Sequence, residues 1–174
     1  MQQLKLLKTG LKIIFCLLLV AWLLVRFFIS PAFHMISGKS MNPILNNGDY
    51  VLTTKVEEIN RYSIIVIKEK KSEELLVKRV IGIPGDTVSV SGNNVSIGNQ
   101  KSGDSSFTYN FQVTHDVISQ LELNNKIPQN NFFVIGDNLK YSRDSRIFGL
   151  IEESQILEQV KWKIWPIADF QRVD

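Results

Sequence analysis

"ELLVKRVIGIPGD", residues 74–86, is the stretch on which the reading of this chain turns. Residues 74–83 are rich in β-branched and long apolar side chains, and Pro84-Gly85-Asp86 is a turn signal that stops them. A strand of period two places Leu76, Lys78 and Val80 on one face and Val77, Arg79 and Ile81 on the other. On composition alone, two readings of Lys78 stand. Its amine is sunk among the apolar neighbours of its own face, or it lies on an exposed edge and its stem reaches out to water. Arg79 points the other way and needs a carboxylate partner if it is buried.

The segments on either side are of the same kind. "YVLTTKV" (50–56), "YSIIVIKEK" (62–70), "NFFVIGD" (131–137) and "ILEQVKWKIWP" (156–166) read as strands. "TVSVSGNNVSIG" (87–98) reads as a hairpin around Gly92-Asn93-Asn94. "FTYNFQVTH" (107–115) is a further strand candidate and "DVISQLEL" (116–123) a short helix. The stretch from about 98 to 131 is polar and less regular, which suggests an insertion or small cap. No internal repeat is visible. Many short strands between regular turns predict a mainly β chain, an antiparallel sheet folded over or closed into a barrel.

The N-terminus departs from this pattern. Lys5, Lys8 and Lys12 precede "IIFCLLLVAWLLV" (13–25), followed by Arg26 and "FFIS". The uncharged run alone is short for a membrane span, which takes about 20 residues. With Arg26 snorkelling and Phe27, Phe28 and Ile29 included, it becomes long enough. A cleaved secretory signal is the rival reading, but such a signal ends in small residues, and here Phe-Phe-Ile-Ser-Pro follows. The expectation is a single transmembrane helix within residues 1–30 and a folded domain over 31–174. The three lysines predict a cytoplasmic N-terminus and an extracellular domain, in the cell membrane.

Composition excludes several functions. The net charge of +3 is mild and no basic run carries interleaved aromatics, so nucleic acid is not an expected partner. The one cysteine, Cys16, lies in the apolar run, and His34 and His115 make no metal-ligand spacing, so no metal is expected. Gly38-Lys39-Ser40 imitates the end of a nucleotide-binding P-loop. The first glycine of that motif would stand at position 33, which is Phe33, and Pro43 and the Asn46-Asn47-Gly48 turn leave no room for the helix that must follow. No nucleotide or other cofactor is expected.

Ser40 remains as a candidate nucleophile, and a serine hydroxyl is a poor one until a base takes its proton. Neither histidine suits: His34 and His115 read as surface or structural residues, and no G-x-S-x-G elbow is present. A lysine can serve if its amine is neutral near pH 7, which burial among apolar groups brings about. Lys78 is the lysine in that setting. The stretch "GDNLKYSRDSRIFG" (136–149), taken alone, reads as a solvated charged loop.

Four stretches together carry a resemblance: "SGKSMNPIL", "GDYVLTTK", "VKRVIGIPGD" and "GDNLKYSRDSRIFG", in that order, after one N-terminal apolar run. The chain resembles a type I signal peptidase of the short Gram-positive form, over nearly its whole length. The resemblance implies a membrane-anchored serine endopeptidase that removes signal peptides from translocated secretory preproteins, cleaving after small residues in an Ala-x-Ala pattern. It implies Ser40 as nucleophile and Lys78 as general base, with Ser142 orienting the lysine amine. Asp137 would pair with Arg79, Asp144 with Arg146 in a second bracing pair, and Met41 and Pro43 would shape the turn around Ser40. Two features stand out. Leu139 replaces the arginine usual after Gly-Asp-Asn, and Gly38, usual in Gram-positive members, stands where Gram-negative members carry an oxyanion-binding hydroxyl.

Two other functions use related chemistry or folds. A non-catalytic helper in surface-protein or pilus assembly need not keep both Ser40 and Lys78. A self-cleaving Ser-Lys regulator lacks a membrane span. Ser40 lies ten residues beyond Ser30, and an extended chain covers about 3.3–3.6 Å per residue, so the serine is expected close to the outer membrane surface, where signal peptides emerge. Pro31, Ala32, Phe33, Met35 and Ile36 either dip into the headgroups or form a linker strand packed on the core.

Overall fold

The computed structural model describes residues 2–28, 32–98, 108–122 and 125–173. Ile29, Ser30, Pro31 and Phe107 lie outside the described residues, as do the side chains of Lys5, Arg26, Phe27 and Phe28. Two compact units result, Met1–Ala32 and Phe33–Asp174.

The first unit is one helix, α1 (Gln2–Phe28). Its described apolar side chains, from Leu11 to Val25, are exposed all round. Among the described residues no helix is long and apolar enough to cross a membrane.

The second unit is mainly β. Its principal sheet contains β1 (Ala32–Met35), β2 (Tyr50–Thr54), β3 (Ile64–Lys68), β4 (Leu75–Gly82), β8 (Asn131–Ile135), β9 (Ile151–Glu152), β10 (Ile156–Trp165) and β11 (Gln171–Arg172). The order is β1-β2-β10-β3-β4-β8-β9, with β11 beside β10. Every register-matched pair is antiparallel. The long strand β10 changes neighbours along one edge, pairing β3 through Ile156–Val160 and β11 at Trp162 and Lys163, while β2 runs along the other.

A second sheet, β5 (Thr87–Ser91), β6 (Asn94–Gly98) and β7 (Thr108–Gln112), opens with the expected hairpin, whose Gly92 takes φ 56 in the tight turn. Helix α2 (His115–Glu122) follows. These elements are no detached cap: Val95, Phe111, Val117 and Leu121 share one core with Ile81, Phe133 and Ile135 of the principal sheet. A second core gathers Ile36, Met41, Leu45, Val51 and Val160, and a third Ile65, Ile67, Val80 and Val134. The short elements β9, β11 and α3 (Ser145–Phe148) had no periodic signature in the sequence.

Candidate active site

Strand β4 lies between β3 and β8, which pairs with it from Arg79 onward. Ile65 stands opposite Lys78 on β3. Only 2% of Lys78 is exposed. Burial alone pulls its amine down from the ordinary 10.5 to about 8, against the opposing pull of the Asp144 carboxylate. Its Nζ donates to Ser40 Oγ at 3.2 Å and to the Val77 carbonyl at 2.9 Å. At a pKa of about 8, about a tenth of the amine is neutral at pH 7, and that fraction can accept the Ser40 proton.

Ser40 sits in the loop between β1 and β2, where the chain turns rather than entering a helix. Gly38 supplies the left-handed conformation the turn needs, φ 93, and its N–H is taken by the Asn47 side chain at 2.9 Å. Met41, buried beside the serine, anchors the loop in the second core. From across the site, the Asn138 N–H donates to the Ser40 carbonyl at 2.9 Å. Gly136 permits that approach, because a Cβ there would collide with the Ser40 carbonyl oxygen and Ser142 Oγ.

The charged residues form closed pairs. Arg79 grips Asp137 with two hydrogen bonds, of 2.7 and 2.8 Å. Asp144 is fully buried, caps α3, and accepts from Arg146 Nε at 2.7 Å, Arg146 Nη2 at 2.9 Å and the Gly136 N–H at 3.1 Å. Arg146 Nη2 also donates to the Leu139 carbonyl at 2.8 Å. The Leu139 side chain is exposed, so this loop uses only that residue's backbone. Ser142 is buried, and its Oγ has no hydrogen-bond partner among the described residues. The hydrogen bond expected between it and the lysine amine is not formed in this structure.

A groove of about 200 Å³ opens onto Ser40 and Lys78, with Ile36, Met41, Val66, Leu76 and Val77 among the residues of its walls.

Several supporting residues escaped the sequence reading. Arg143 donates to the buried Glu69 carboxylate at 2.9 Å, tying the loop of Ser142 to the β3–β4 hairpin that carries Lys78. Lys163 contacts Asp49 at 2.7 Å at the foot of the Ser40 loop. Nothing local marks these pairs, since the partners lie 74 and 114 residues apart in sequence.

Comparison with known proteins places the chain among the serine endopeptidases. The family described as "Signal peptidase, peptidase S26" matches residues 7–165, and the chain belongs to that family. Signal peptidase IB of Staphylococcus aureus is 31% identical over 168 residues, 87% of this chain and 86% of its own. Signal peptidase I of Bacillus caldolyticus is 32% identical over 149 residues, 79% of this chain and 81% of its own. A crystal structure of a signal peptidase I from Enterococcus faecalis, 22% identical, covers 58% of this chain and 95% of that one at a TM-score of 0.39, too low to carry an argument. The protein is a serine endopeptidase of the signal peptidase type, and its family acts on the signal peptides of preproteins.

Proposed function

We propose that this endopeptidase works by a Ser40–Lys78 dyad on membrane-borne preproteins. The observation that carries the reading is the buried Lys78 amine, 3.2 Å from Ser40 Oγ and lowered to about 8. Neutral Lys78 takes the Ser40 proton as Oγ attacks the scissile carbonyl carbon. The new ammonium passes that proton to the leaving nitrogen as the C–N bond breaks. A water then loses a proton to Lys78 and attacks the acyl ester, and Ser40 recovers its proton as the ester opens.

The oxyanion falls to backbone N–H groups, Ser40's own first, since the Gly38 N–H is already taken by Asn47. Ser142, a buried hydroxyl without a partner among the described residues, is assigned to orienting the amine once substrate closes the site. The small apolar groove favours Ala-like side chains beside the cleaved bond, with the substrate lying extended against the sheet. The lysine-flanked apolar segment 13–29 supports a membrane anchor with the N-terminus cytoplasmic and the catalytic unit outside.

The test is the pH–rate profile for cleavage of a lipid-embedded preprotein with an Ala-x-Ala site. Activity should rise through a midpoint near pH 8 and vanish in both Ser40→Ala and Lys78→Ala. A folded wild type that cleaves none of several preproteins would turn the reading towards a dedicated substrate or an assembly helper.

A further inference from the structure

Lys163 is as deeply buried as Lys78, yet it lies on β10, outside the catalytic arrangement. Its Nζ contacts Asp49 Oδ2 at 2.7 Å and donates to Asp169 Oδ2 at 3.3 Å. Asp49 is itself buried, whereas the Asp169 carboxylate is largely exposed. Of the two acids, Asp49 is therefore the one that depends on Lys163 for compensation.

Asp49 closes the loop that carries Ser40. Its Oδ2 also accepts from the Asn46 N–H at 2.7 Å, and its carbonyl accepts from the Ile36 N–H at 2.8 Å. The Ile36 carbonyl accepts from the Gly48 N–H at 2.9 Å, so the two ends of the loop are laced together. Within it, the Leu45 N–H holds the carbonyl of Met41, the residue next to Ser40, at 2.9 Å. The lysine is held in turn by the C-terminal segment, where Phe170 stacks on Trp162 with ring centroids 5.3 Å apart and β11 pairs with β10 at Lys163.

We propose that Lys163 is a positioning residue for catalysis: through Asp49 it fixes the foot of the 36–49 loop and so holds Ser40 Oγ at hydrogen-bonding distance from Lys78. The proposal rests on the dyad reading. A misplacement of about 1 Å at a reacting atom costs about 100-fold in rate. Loosening the foot of the loop therefore lowers kcat, and KM changes less, because Val66, Leu76 and Val77 on β3 and β4 keep their side of the groove while Ile36 and Met41 move with the loop.

The test uses the full chain in detergent micelles with an Ala-x-Ala preprotein. Lys163→Met alone strands a buried carboxylate, so the Asp49→Asn/Lys163→Met double variant, which removes both charges, keeps the question answerable if the single variant does not fold. The folded double variant should lose about 10- to 100-fold in kcat with a clearly smaller change in KM, and its pH midpoint should stay near that of wild type. Lys163→Arg, which keeps the charge, should recover most of the rate. Wild-type kcat in the folded double variant overturns the proposal, as does a deficit that disappears once the rate is corrected for the folded fraction. Cleavage that persists in Ser40→Ala overturns the dyad reading and this proposal with it. A Ser40-dependent wild type beside a fully active double variant overturns this proposal alone.

Discussion

Two lysines of this molecule, Lys78 and Lys163, are each 2% exposed on strands of the same sheet, and their amines are driven in opposite directions. Burial pulls both down. At Lys78 nothing in contact offsets it: the amine meets a hydroxyl and a backbone carbonyl, and it falls to about 8. At Lys163 the Asp49 and Asp169 carboxylates outweigh burial and hold the amine above the ordinary lysine value. Depth in the sheet thus does not set the charge; contact with an unshared carboxylate does. The catalytic region contains two carboxylates as well, Asp137 and Asp144, but each is gripped by an arginine. Those pairs brace the site while leaving little net negative charge for Lys78 to answer.

The largest effect comes from breaking the Lys78 side of the comparison. Lys78→Met should lower cleavage by at least about 10³-fold. It should also stabilise the fold. A lysine whose folded pKa lies below its unfolded value costs stability in full below pH 8, less between 8 and 10.5, and nothing above. The gain on removing it is therefore at most about 3 kcal/mol near pH 7, fading towards pH 10.5. Urea melts at pH 7 and pH 10 check both statements.

Lys163→Met should do the opposite. It leaves Asp49 buried without its cation, at a cost of about 3–5 kcal/mol near pH 7. The raised pKa fixes the pH window: this contribution is complete below about pH 10.5 and is lost only as pH climbs through the raised value. A melt showing Lys163→Met as stable as wild type would mean that the two lysines differ less than their neighbours imply.

A smaller change sharpens the comparison without touching either lysine. Arg146→Gln frees the Asp144 carboxylate, which already pulls the Lys78 amine upward. An unneutralised negative charge nearby favours the ammonium form, so the pH–rate midpoint should move alkaline, by about one unit. A midpoint that stays put in the folded variant would show that Arg146 neutralises nothing the amine can feel.

The two lysines also mark how far the sequence can be read. Period-two alternation placed apolar residues beside Lys78, but only strand order distinguishes a central strand from an edge. β4 owes its central place to β8, which begins about fifty residues later in the chain. The motifs around Ser40, Lys78 and the 136–149 loop were legible because short ordered patterns carry them. Lys163 sits in "VKWKIW", which reads as any half-exposed strand, and what buries it is a C-terminal segment of turns and a two-residue strand too short for any periodicity. Asp49 was visible only as a residue of the "GDYVLTTK" stretch, and its partner lies 114 residues away.

The smallest expected effect extends the rule to an acid. Glu69 is a buried carboxylate, and burial alone would push its pKa up. Hydrogen bonds from the Ser72 hydroxyl at 2.5 Å, the Ser72 N–H at 2.8 Å and the Lys71 N–H at 3.2 Å, with Arg143 beyond, bring it down to about 2 instead. A carboxylate whose folded pKa lies below its unfolded value adds stability above pH 4.5 and loses it as pH falls towards 2. The Glu69→Gln variant lacks that titration, so its melting temperature should trail wild type by a few degrees at pH 7 and converge on it between pH 4.5 and pH 2. Thermal melts across that range decide the matter. A gap that stays constant down to pH 2 would show that Glu69 matters for its hydrogen bonds and not for its charge, and contact would then govern the lysines of this sheet but not its buried acid.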